Sequence, residues 1–200
     1  MRRFSFRPSL TLRGRKFKGL RGFAGKPFHP PLTDVPIGAY TVVAGLDVLS
    51  KVLKGGHPVV AFELYKAGTF TMWGGFIVSV FTALTGFWDW WKSSEPGTQA
   101  RRTINSHAWT MVTATVLVAV DLVLRTWVYD TNPAVPGRVL LISLVIFVLI
   151  VIGGTIGGEL TYDYGFNVET AGDSPVWAKS EADVMPDGST RGAGAPKQPA

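Results

Sequence analysis

The sequence contains no cysteine. That excludes disulfides, thiolate zinc sites, iron–sulfur ligation by this chain and covalent c-type haem attachment, and it leaves the redox compartment unreadable. Histidine is scarce as well, at three residues, so an imidazole-based site has few candidates. Charged residues make up only 17% of the 200, and the stretch 139–158 contains none. No Ser/His/Asp triad order, phosphate-cradling glycine loop or HExxH motif is present, which argues against a hydrolase or kinase. No internal repeat is visible. A cleavable signal peptide is not expected, because the first apolar run begins only after Asp34 and no small-residue cleavage pattern follows it.

What is present is apolar surface. The chain is 46% hydrophobic, with a mean hydropathy of +0.22, which is high for a water-facing surface. Four runs, at about 35–53, 68–90, 107–127 and 139–158, approach the length needed to cross hydrocarbon. A helix rises roughly 1.5 Å per residue against a core about 30 Å thick. The predicted fold is therefore all-α: an integral membrane four-helix transmembrane bundle over residues 32–165. A basic cytoplasmic or interfacial arm, 1–31, precedes it, and a disordered tail rich in Gly, Ser, Pro, Ala and Asp, 166–200, follows.

Local signals set the expected boundaries. Thr33 or Asp34 is expected to cap the first span, with Pro36 in its first turn. Gly55, Gly56, His57 and Pro58 form a turn, and residues 59–66 an amphipathic lead-in to the second span. That span ends on Trp88, Trp90, Trp91 and Lys92, an aromatic and basic anchor at headgroup level. A polar loop is expected at 93–106, and Pro133 and Pro136 break the chain before the fourth span. Gly74, Gly75 and Gly86 in the second span, and Gly153, Gly154, Gly157 and Gly158 in the fourth, let another helix approach closely and permit a homodimer.

The net charge is +6, and nine of the twenty Lys and Arg precede Pro30. Because the basic residues flank apolar spans, the expected partner is the anionic surface of a lipid bilayer, not nucleic acid. An N-terminus on the cytoplasmic side of the inner membrane would put those nine residues, Lys92, Arg101, Arg102 and the three basic residues of the tail inside. Lys51, Lys54, Lys66, Arg125 and Arg138 would lie outside. The positive-inside rule favours that arrangement, with both termini cytoplasmic.

Four helices with that topology gather His29, Asp34, Asp89, His107 and Glu159 at the inner face, together with Arg101, Arg102 and Tyr164. A transmembrane bundle builds cofactor sites from side chains on facing helices, so His29 and His107 are the candidate metal ligands for a b-type haem. Asp34, Asp89 and Glu159 complete the cofactor-binding set. Pro30 argues against helical geometry at His29 and places it in an extended entry segment. His57, before Pro58, reads as a turn residue. A second group lies in the outer half, where Asp47, Asp121 and Arg125 share one depth. Intramembrane charges suggest a proton or ion path; the stronger expectation is structural, with Asp121 and Arg125 neutralising each other and Asp47 completing a network that fixes helix packing.

The ordered series 28–38, Gly45-Leu46-Asp47, 84–90, His107 and 157–162 resembles the bacterial membrane family DUF2231, over roughly residues 26–165. The resemblance implies a four-helix membrane architecture without an assigned activity. Some relatives continue into a Rieske iron–sulfur domain, and residues 174–188 look like the lead-in to one, although a chain without cysteine holds no cluster. Three readings follow. The first is a non-enzymatic accessory or anchor beside a membrane redox protein, with haem b as its cofactor. The second is a small transporter or proton-handling protein, and the third a pure scaffold.

Overall fold

The structure, a computed structural model, describes residue 20 and residues 27–167. The basic arm up to residue 26 (apart from Leu20), the tail beyond residue 167 and the Rieske-like lead-in lie outside the described residues. Four helices follow in order: α1 (His29–Leu53), α2 (Pro58–Ser93), α3 (Gln99–Val123) and α4 (Gly137–Tyr162). A π-helical turn, Leu124–Val128, extends α3. All four are long and apolar enough to cross a membrane.

Each helix is longer than its apolar run. α1 begins at His29, with Phe28 in the N-cap position and Pro30 and Pro31 in the first turn, so His29 does not sit in an extended entry segment. First-turn prolines are tolerated because no carbonyl inside the helix awaits their missing N–H. Thr33 and Asp34 therefore do not cap α1; the Thr33 hydroxyl donates back to the Pro30 carbonyl at 2.6 Å. Pro36 lies inside the helix and not in its first turn. Its missing N–H leaves the Leu32 carbonyl without its helical donor, and the Thr82 hydroxyl of α2 reaches that oxygen at 3.2 Å. A break in one helix thus becomes a bond between two.

The amphipathic lead-in at 59–66 and the second span are one continuous helix. The expected loop at 93–106 is much shorter, because α3 starts at Gln99 behind Thr98, whose hydroxyl accepts from the Arg101 N–H at 3.1 Å. Arg101 then turns back onto α2. Its guanidinium donates to the Trp90 carbonyl at 3.0 Å and lies 3.7 Å from the centre of the Trp90 ring. It thereby satisfies a carbonyl at the C-terminal end of α2, where a cation also complements the helix dipole.

α1 packs chiefly on α2 and α3 chiefly on α4; contacts of α1 with α4 and of α2 with α3 close the ring, leaving α1 and α3 on a diagonal. The centre holds Tyr40, Val43, Met72, Ala114, Val118, Leu122, Ile146 and Ile150. Phe70, Phe81, Leu84, Trp109, Val116, Leu141 and Val148 are exposed on the outside, the distribution expected of a bundle solvated by lipid tails. In such surroundings close packing and interhelical hydrogen bonds hold helices together. Gly75 lets α1 approach: a Cβ there would stand 2.9 Å from both Ala39 and Tyr40. The Tyr40 hydroxyl pairs with Ser79 at 2.7 Å.

Ser50 joins three segments, donating to the Ala61 carbonyl at 2.6 Å and accepting from the Val135 N–H at 3.0 Å. Ser50→Ala is expected to lower stability by about 1–3 kcal/mol, because a buried donor and a buried acceptor both lose their partner. The unfolding midpoint of the detergent-solubilised variant measures this, and a wild-type midpoint would show that other groups take over both bonds.

Candidate functional site

Polar side chains meet at two levels of the bundle. The first is the end where α1 and α3 begin and α2 and α4 finish. There His29 Nδ1 lies 2.9 Å from the Thr82 carbonyl and 3.3 Å from the Thr85 hydroxyl. That hydroxyl donates its own proton to Thr82 O at 2.9 Å, and a carbonyl only accepts, so His29 Nδ1 carries the hydrogen. His107 repeats the arrangement on the other helix pair, with Nδ1 2.8 Å from the Gly153 carbonyl. Each Nδ1–H donates, so in each neutral ring Nε2 holds the free lone pair.

Each ring also lies against a glycine one helical turn beyond the carbonyl it bonds. A Cβ at Gly86 would come within 2.7 Å of His29 Cε1, and one at Gly157 within 3.2 Å of His107 Cε1. Thr82 and Gly86 on α2 thus match Gly153 and Gly157 on α4. The same number of residues separates His29 from Asp47 and His107 from Arg125. The two histidines are thus held alike, His29 on the α1–α2 pair and His107 on the α3–α4 pair.

Asp89 is buried beside this level, at 3% exposure. Its Oδ1 accepts from the Leu20 N–H at 3.0 Å and its Oδ2 from Asn167 Nδ2 at 3.4 Å. The carboxylate binds together the segments that enter and leave the bundle. Asp34 and Glu159 are exposed, and among the described residues neither side chain forms a hydrogen bond with the histidines. Arg101 is committed to α2, and Arg102 bonds Gln99. His57 is an exposed residue just before α2. Sequence reasoning missed Thr82 and Thr85, which offer a carbonyl and a hydroxyl, and read Gly86, Gly153 and Gly157 as places for a neighbouring helix, not as room and a carbonyl for a histidine.

At the second level, Asp47, Asp121 and Arg125 are all buried, at 0%, 0% and 1% exposure. Arg125 Nη1 donates to Asp47 Oδ1 at 3.1 Å, Nη2 donates to Asp47 Oδ2, and Nε donates to Asp121 Oδ2 at 3.0 Å. The Asp47 contact is bidentate, the strong form of this pair. The Tyr65 ring stands 5.4 Å from the guanidinium carbon. Gly68 faces the pair closely, with room for no more than an ordinary van der Waals contact. Arg125 projects from the π-helical turn, a local widening found often at functional sites. The sequence placed the three residues at one depth and suggested a network with Asp47; the structure shows the guanidinium reaching across the diagonal from α3 to α1 to make it.

The architecture and this ordered set of residues fit a recognised family. The family described as "Predicted membrane protein (DUF2231)" matches residues 25–170. The chain belongs to DUF2231. No curated protein and no solved structure matches it. Membership establishes this DUF2231 chain as a multi-pass membrane protein in contact with lipid. The matched segment contains His29, His107, Asp47, Asp121 and Arg125.

Proposed function

We propose that this DUF2231 chain is a non-enzymatic accessory or anchor of a membrane electron-transfer system that binds haem b through His29 and His107. It lies in the inner membrane with both termini cytoplasmic, beside a redox protein partner. One observation carries the reading: two imidazoles at one level, on diagonal helices, each with Nδ1–H fixed on a backbone carbonyl and Nε2 left as a lone pair. A hydrogen bond at the far nitrogen that sets tautomer and ring orientation is how a metal-ligating histidine is normally held.

Two imidazoles also favour haem over a bare zinc ion. Among the described residues no group of three His, Asp or Glu side chains is placed to hold a metal, and a zinc ion takes at least three protein ligands. A haem brings four nitrogens of its own and asks the protein for axial ligands alone. Asp89 would border the ring from its buried position, with Asp34 and Glu159 on the exposed rim. Gly153 and Gly157 are filled by α3, whereas Gly154 has nothing within 4 Å. With Gly158 it forms the small-residue face through which a homodimer would pack.

An absorption spectrum tests the reading. The detergent-purified protein, expressed with ample haem, is expected to show a Soret band that reduction shifts and that His29→Ala and His107→Ala each abolish. A colourless preparation, or a band that persists in both variants, overturns it.

A further inference from the structure

The buried charge cluster holds one more acid than it has cations. Arg125 occupies both oxygens of Asp47 and Oδ2 of Asp121, while Asp121 Oδ1 is buried with no hydrogen-bond partner among the described residues. We propose that Asp121 carries an exchangeable proton, so that Asp47, Arg125 and Asp121 form a proton-binding site inside the membrane.

The argument is one of charge and of available oxygens. With both acids ionised the cluster would hold a net negative charge, fully enclosed in a bundle surrounded by hydrocarbon, and such a charge persists only when paired. Among the described residues no other cation pairs with either carboxylate. Of the helices packed around the cluster, α1 supplies Asp47 itself, and α3 with its π turn supplies Asp121 and Arg125. α2 supplies Tyr65, whose hydroxyl donates to the Tyr129 carbonyl at 3.3 Å. Its Lys66 is spent on Asp130 at 2.6 Å, in an exposed pair. α4 carries Arg138 and Glu159 near its two ends and no charge between them. Among the described residues neither buried carboxylate has a second cationic partner.

A metal cation fits poorly. Hard cations gather six or more oxygens, and here three of the four carboxylate oxygens already accept from the guanidinium. A proton needs one oxygen, and one is free. Asp121 is the carrier because Asp47 holds Arg125 through two bonds and Asp121 through one. Protonating Asp121 leaves the stronger pair intact, and a neutral hydroxyl without a partner is a smaller penalty than an unpaired charge.

Infrared difference spectroscopy of the full-length protein in detergent, at neutral pH, tests this without reference to haem. The wild type is expected to show the carbonyl stretch of one protonated carboxyl per chain, shifted on transfer to deuterium oxide. Asp121→Asn, which keeps the shape of the side chain, should remove that band. Asp47→Asn should remove it too, because one acid then faces one guanidinium and Asp121 ionises. A wild-type spectrum lacking the band overturns the proposal even if both variants fail to fold. A band that survives undiminished in Asp121→Asn, or in Asp47→Asn, overturns it as well. A colourless protein that shows the band would sink the haem reading and leave this one standing.

Discussion

Arg125→Met is expected to be the most damaging single substitution in the bundle, lowering stability by about 3–5 kcal/mol, the range for removing one partner of a buried ion pair. The side chain is 1% exposed and bonds two carboxylates that are each 0% exposed. Methionine fills much of the same volume, so the loss is one of charge and hydrogen bonds more than of packing. Arg125→Lys should recover only part of it, because an ammonium cannot reproduce the bidentate fork on Asp47. The triple variant Asp47→Asn, Asp121→Asn, Arg125→Met should recover most of it, since no charge is then left unpaired. Unfolding midpoints in detergent, by circular dichroism against temperature or denaturing detergent, measure all three. An Arg125→Met midpoint equal to wild type would show that the cluster contributes nothing to stability.

The second large effect is expected at Gly86. A methyl group there would stand 2.7 Å from His29 Cε1, 3.0 Å from Nδ1 and 3.2 Å from Nε2. The ring therefore has to leave the α2 surface, and with it the Thr82 carbonyl that fixes its tautomer. Overpacking of this kind costs about 1–3 kcal/mol. If the haem reading holds, Gly86→Ala should weaken haem retention by roughly ten-fold or more, a factor that corresponds to about 1.4 kcal/mol. Gly157→Ala is the internal control. Its nearest contact, His107 Cε1 at 3.2 Å, yields with a shift of a few tenths of an ångström, so its effect should be clearly smaller. Haem content per polypeptide and the unfolding midpoint test the pair together. Equal behaviour of the two variants would show that the close approach at Gly86 does not hold the ring.

The elements were legible in the sequence because hydrocarbon is an undiscriminating solvent: a run either is apolar enough or is not. Their ends were less so. α1 begins at His29 and α3 at Gln99, ahead of the apolar residues, because capping and first-turn prolines let a helix continue past the hydrocarbon. The convergence of His29 and His107 was inferred from topology alone, and the structure adds their hydrogen bonds. Thr82 and Gly153 act through backbone carbonyls, which every residue possesses, so no residue type marks them out. Gly86 and Gly157 read as sites for a neighbouring helix, and in the fold each is covered by a histidine instead of a helix backbone.

Composition and hydropathy by themselves determined that this chain folds as four membrane-crossing helices and that few ionisable groups enter them, since burying a charge in hydrocarbon leaves an unmistakable scarcity in the sequence. Only the tertiary structure decided which of those groups meet. Arg125 is one helical turn from Asp121 and far along the chain from Asp47, yet it makes its bidentate contact with Asp47. Pairing across a diagonal depends on helix register and rotation, which are set by small residues, a π turn and the fit of side chains in three dimensions.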